Sequence, residues 1–154
     1  LSSSALQDLD EEAEVLKLSM QSLKEYYGLN PGRHAKSARE IGYQLGLELA
    51  RSLPHPAPED VNEVVKLLAW YWSTYRIGEL FWANQERSLL AIRNCSDCIG
   101  QGYGAGYTLC PFKEGLLKAV LEAKLCRQFL VREVECCGTC APNCVFEIKS
   151  TPED

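Results

Sequence analysis

Apolar residues at Leu6, Leu9, Ala13, Leu16, Met20, Leu23 and Tyr27 recur at alternating steps of three and four, which predicts an N-terminal helix within residues 1–28. Ser4 with Gln7 resembles a capping box, acids fill the first turns, and Gly28 supplies a stop. Such a seam serves either packing on the chain's own core or a dimer arm. After the turn Asn30-Pro31-Gly32, a second helix is expected from about Ala35 to Leu53, with Ala38, Gly42, Gly46 and Ala50 forming a stripe of small residues. Each glycine weakens a soluble helix by about 1 kcal/mol, so something must approach that face closely. A neighbouring helix and a bound ligand are the two candidates. Pro54, Pro56 and Pro58 make a stiff connector, and Glu59 and Asp60 begin a third helix with an apolar face of Val61, Val64, Val65, Leu68 and Trp72. Its aromatic end, Trp70 to Tyr75, is either core or the lining of a cavity.

From Arg76 the period changes to that of strands. Residues 77–82 and 89–94 flank a turn near Ala83-Asn84-Gln85 and predict an antiparallel hairpin. A helix follows Pro111, and two more strands are expected at 129–136 and 143–149. Helices followed by strands give an α+β class, with N-terminal helices packed on a small antiparallel sheet.

The length of 154 residues suits one domain spanning 1–154. A net charge of −5 argues against a nucleic-acid groove, which needs clustered Lys and Arg. No apolar run approaches a membrane span, and no secretory leader is visible. All eight cysteines lie between Cys95 and Cys144, which favours metal binding in the 95–149 half over a disulfide framework, and with it a reducing, cytoplasmic compartment. His34 and His55 lie far from these cysteines, and no nucleophile–base pair is apparent.

Cys110 precedes Pro111, so its sulfur belongs at a helix N-terminus, where the dipole stabilises a thiolate. Cys136 ends one strand and Cys144 begins the next, across a short connection containing Gly138. With Glu133 these residues make a candidate four-donor zinc site: Cys110, Glu133, Cys136 and Cys144. On a regular strand Glu133 points away from Cys136, so either a bulge near Val134 turns it inward or it is a solvated acid. Two Cys-x-x-Cys pairs, Cys95/Cys98 and Cys137/Cys140, suit a second zinc or an iron–sulfur cluster, or are spare thiols; Cys126, the remaining one, is expected as a buried apolar residue. Gly100, Gly102, Gly104 and Gly106, interleaved with Tyr103 and Tyr107, form either a flexible loop or a lid offering hydroxyl handles.

The order Cys-Pro, Gly-Leu-Leu, Glu-Val-Glu-Cys, Gly and Cys-x-Phe-x-Ile, running from Cys110 to Ile148, closely resembles the 4-vinyl reductase (4VR) domain family of hydrocarbon-binding proteins, with a looser match from Tyr26 to Leu53. The resemblance implies zinc at Cys110, Glu133, Cys136 and Cys144, a pocket for an apolar small molecule, a fold related to the ligand-binding TRAPP subunits, and homodimerisation. It also strengthens Gly42 and Gly46 as ligand-binding candidates, beside which Trp72, Tyr103 and Tyr107 are candidates from their aromatic character and position alone. The function implied is a non-catalytic, zinc-containing sensor that reports to a downstream protein partner. The alternative is an enzyme or accessory protein in tetrapyrrole vinyl-group reduction, drawing on a metal cluster.

Overall fold

The computed structural model describes residues 20–54, 60–95, 98 and 104–151. The seam from Leu6 to Leu16, the cap at Ser4, His55 and Tyr103 lie outside them. Among the described residues, four α-helices, α1 (Met20–Tyr27), α2 (Ala35–Ser52), α3 (Val61–Thr74) and α4 (Pro111–Leu125), accompany four strands, β1 (Glu79–Asn84), β2 (Leu89–Arg93), β3 (Phe129–Glu135) and β4 (Cys144–Ser150). The sheet is antiparallel in the order β1-β2-β4-β3, giving the α+β class expected from the sequence.

α4 is the central element: Phe112, Leu116, Leu117, Val120 and Leu121 are all fully buried, because α2 covers one side of it and β3 another. Its crossing with α2 explains the small-residue stripe. A Cβ on Gly42 would stand 2.1 Å from the Phe112 carbonyl oxygen, one on Gly46 2.6 Å from that of Leu116, and one on Gly115 2.0 Å from that of Arg39. The two backbones touch through paired glycines, and the propensity lost at each is offset by the burial that close approach allows.

α3 is fixed at its start by the Asp60 carboxylate, which accepts from the Glu63 N–H, and packs Val64, Leu68, Tyr71 and Trp72 inward while Trp70 is exposed. The hairpin turn falls at residues 85–88, later in the chain than expected. The Asn84 side chain accepts from the Arg87 N–H, and Ser88 adopts a left-handed conformation, so the pairing extends to Asn84. Cys126 departs from its expected burial: it is exposed and takes φ 53°, ψ 39° as the left-handed cap of α4. That cap is where the chain turns toward β3, and it points the thiol outward.

Candidate functional site

Three chain segments meet at the N-terminus of α4. Register places Ile92 opposite Cys144, so the chain leaving β2 carries Cys95 and Cys98 past the start of β4, and Cys110 caps α4 beside them. The Sγ–Sγ separations are 3.9 Å for Cys95–Cys110, 3.7 Å for Cys98–Cys110, 3.3 Å for Cys98–Cys144 and 3.5 Å for Cys110–Cys144. Thiolates about 2.3 Å from one tetrahedral ion stand about 3.8 Å apart, so these four sulfurs already have the spacing of a tetrathiolate site. An iron–sulfur cube holds its thiolates wider apart, by the breadth of the cube.

A second group, Cys98, Cys136 and Cys137, has its three sulfurs within 4.8 Å of one another and shares Cys98 with the first. Cys136 is fully buried, and its sulfur accepts from the Leu109 and Gly138 amides at 3.2 Å each. The turn carrying it is held by Gly138, where a Cβ would meet the Tyr107 carbonyl oxygen at 2.1 Å. Residues 104–106 run alongside, with the Gly104 and Gly106 amides donating to the carbonyls of Cys137 and Gly138. Cys140 is exposed and belongs to neither group.

Glu133 enters through the irregularity that alternation demanded. Glu133 pairs with Phe146 and Glu135 with Val145, so Val134 is a bulge that turns the Glu133 carboxylate toward the cysteines. Its Oε1 accepts from the Cys110 N–H at 3.1 Å, one residue from the amide that serves Cys136. Its Oε2 is buried and has no hydrogen-bond partner among the described residues. Burial, then the neighbouring Cys136 sulfur, pushes this carboxyl up to about 10. Contact with Cys110 holds Cys95 and Cys136 well below the ordinary thiol value, and contact with Cys136 holds Cys110 well above it. A dense group of thiols beside an orphaned carboxylate oxygen fits a divalent cation, which removes the protons and satisfies the oxygen.

The cysteine sets expected from the sequence are thus interleaved: Cys110 and Cys144 lie with Cys95 and Cys98, Cys136 lies with Cys98 and Cys137, and Cys136 also touches Cys110 and Cys144, so Cys110, Glu133, Cys136 and Cys144 gather in the same cluster. Sequence reasoning missed this sharing, whose signal is strand order. Of the ligand-binding candidates, Gly42 and Gly46 face the backbone of α4, and Trp72 is fully buried with its indole N–H unpartnered among the described residues. Tyr107 lines a cavity of about 560 Å³ with Asn30, Pro31, Gly32, Arg33, Ala35, Arg39, Thr108, Pro111 and Glu114. From that cavity a hydrogen-bonded line reaches the cysteines. Arg39 donates to Glu114 Oε1 at 3.2 Å, Glu114 Oε2 accepts from the Glu133 N–H at 3.0 Å, and Glu133 Oε1 accepts from Cys110.

No family model matches the chain. An uncharacterized protein of Methanocaldococcus jannaschii, MJ0150, is 34% identical over 111 residues, covering 71% of this chain and 63% of the relative's length. Among solved structures, a vinyl-4-reductase family protein from the same organism shares the fold at TM-score 0.55 and 22% identity, over 75% of this chain and 68% of that one. The family resemblance noted in the sequence therefore has a structural counterpart. A trafficking protein particle complex subunit 3 from Naegleria fowleri, covalently bound to palmitic acid, aligns at TM-score 0.61 and 13% identity over 96% of both chains. The phenol-responsive sensory domain of the transcription activator PoxR, with phenol, aligns at TM-score 0.58 and 14% identity over 93% of this chain and 74% of that one. Among the described residues no helix is long and apolar enough to cross a membrane.

Proposed function

We propose that the chain is a non-catalytic, zinc-stabilised binding domain of the 4VR type that senses a small, mainly apolar molecule. The observation that carries this reading is the meeting of the Cys95, Cys98, Cys110 and Cys144 sulfurs at tetrahedral spacing. Four thiolates close the coordination sphere, leaving no position for water or substrate, which is the mark of a structural ion. Bound there, zinc supplies cross-linking of β2, α4 and β4. The residues do the rest: Cys110 anchors the α4 terminus, and Glu133 and Glu114 tie it to Arg39 in the cavity wall.

The cavity supports the sensing half of the proposal. Pro31, Ala35, Pro111 and the Tyr107 ring offer apolar surface, while Arg33, Arg39 and the Tyr107 hydroxyl suit a polar or anionic end. Solved neighbours of the same fold hold phenol in one case and palmitic acid in another, which favours a ligand of that general character. A ligand pressing on Pro111 or Arg39 changes the α4 terminus, so occupancy is passed through the zinc corner to a second copy of the chain or to another protein. The gathering of six of the eight cysteines into two metal-type groups suits a reducing, cytoplasmic setting.

The test is zinc content and ligand response of the full chain purified under reducing conditions. Bound zinc, together with a rise in thermal midpoint on adding phenol or palmitate that Tyr107→Ala and Arg39→Ala reduce, supports the reading. Protein that retains no zinc and refuses added zinc overturns it.

A further inference from the structure

We propose that the cysteine cluster is a dinuclear centre in which two divalent, zinc-like ions share the Cys98 thiolate; this rests on the zinc reading above and extends it. Two tetrahedral ions joined at one corner need seven donors between them. The first takes Cys95, Cys110 and Cys144 with Cys98. The second takes Cys136 and Cys137, again with Cys98, whose sulfurs also lie within 4.8 Å of one another. The Glu133 carboxylate, held beside this group by the Cys110 amide but outside its 4.8 Å circle, would complete the shell by a turn of its side chain.

Four independent features point to the second ion. Cys98 belongs to both groups, as a bridging thiolate must. Cys136 is completely buried and accepts two backbone amide hydrogen bonds, an arrangement that stabilises a thiolate before any metal arrives. Glu133 is only 5% exposed, yet its Oε2 has no hydrogen-bond partner among the described residues. A buried carboxyl oxygen in that state is costly unless a proton or a cation takes it up. Finally, the bulge at Val134 gives up one regular ladder position solely in the stretch that brings Glu133 to the side of Cys136.

Charge follows the same logic. Two dications with six thiolates and one carboxylate are net negative, and such a centre needs nearby positive potential. Lys113, fully buried in the first turn of α4, and the N-terminal end of that helix supply it. One ion at the first group alone leaves the Cys136 sulfur and the Glu133 oxygen side by side with no cation to share.

Native mass spectrometry of the full chain, reduced and saturated with zinc, tests the proposal. Two ions per chain are expected, with Cys137→Ser retaining one. Cobalt(II) titration supplies an independent readout: tetrahedral thiolate absorption should grow through two equivalents, and the paramagnetic resonance signal should fall as the second ion couples to the first through the shared sulfur. Saturation at one ion overturns the dinuclear centre while leaving the zinc-stabilised domain standing, whereas no bound ion overturns both. A brown protein carrying iron and acid-labile sulfide also overturns it.

Discussion

Replacing Gly42 by alanine puts a methyl group where the structure has a carbonyl. Its Cβ would lie 2.1 Å from the Phe112 oxygen, against the 3.0 Å below which real Cβ contacts essentially never fall, so α2 and α4 must separate by about 1 Å. Alanine gains about 1 kcal/mol of helix propensity over glycine, which taken alone predicts stabilisation. Opposing it, a gap of 0.5–1 Å forfeits roughly a quarter to a half of each dispersion contact across the interface, and overpacking of this kind costs about 1–3 kcal/mol or more. Because the clash is with a backbone oxygen that cannot swing aside, the second effect wins, for a net loss of roughly 1–2 kcal/mol. In a chain of this size that is a fall of about 2–8 °C in thermal midpoint. Circular dichroism melts and urea titrations of the zinc-saturated protein measure it. Gly28→Ala is the comparison: no atom lies within 4 Å of its Cβ, and only the left-handed φ of 67° opposes it, at about 1–2 kcal/mol. A Gly42→Ala protein as stable as wild type, or more so, would refute the close crossing and return the stripe to the ligand-space reading.

Cys126→Gly should raise stability by about 1 kcal/mol in the same melts, because the exposed cap of α4 sits in the left-handed region with φ 53°. Removing metal with a strong chelator under reducing conditions should lower the thermal midpoint by about 10 °C or more, and re-addition of zinc should restore it. Tyr43 donates to Glu122 Oε1 at 2.8 Å, and that bond, with burial and the carboxylate charge, raises its phenol above 10.0. The stabilisation is therefore complete below pH 10 and lost as pH rises through the elevated value. An absorbance titration near 295 nm should show one late tyrosine that Glu122→Gln returns to the ordinary range; unchanged titration would dismiss the bond.

The helices, the hairpins and the α4 terminus were legible because each is written locally. Glu59 with Asp60 marks a helix start, Pro111 after Cys110 another, and the strand-like run from Phe129 onward marks a strand. Even the bulge at Val134 could be inferred, since a carboxylate three residues from a cysteine reaches the same face only if alternation is broken. What was not legible is the sharing of cysteines between groups. Two Cys-x-x-Cys pairs look like halves of one site, but the order β1-β2-β4-β3 brings the exit of β2 to the entry of β4, and Cys95 and Cys98 meet Cys144 there. Strand order depends on which edges a helix covers, and no short stretch of sequence encodes it. The glycine stripe was legible as a demand for close approach but not as to what approaches, since its partner, Gly115, lies on a helix some seventy residues away.

Glu133 shows why cavity and cysteines belong to one device. Its N–H donates to Glu114, its Oε1 accepts from Cys110, and its Oε2 has no hydrogen-bond partner among the described residues, so a single residue joins the sheet, the helix terminus and the cysteine cluster. Glu114 in turn holds Arg39, half exposed at the cavity wall. If the carboxylate of a ligand takes Arg39 from Glu114, the freed Glu114 charge is left buried at 7% side-chain exposure, against the amide of the residue that grips the α4 terminus. The chain of contacts is short: the Glu114 carboxylate takes both Arg39 and the Glu133 amide, and the Glu133 side chain reaches the Cys110 amide. A ligand with no anionic or strongly polar group leaves the Arg39–Glu114 pair intact, so the two ligand classes should differ in whether binding changes the metal's affinity and not merely in how tightly they bind.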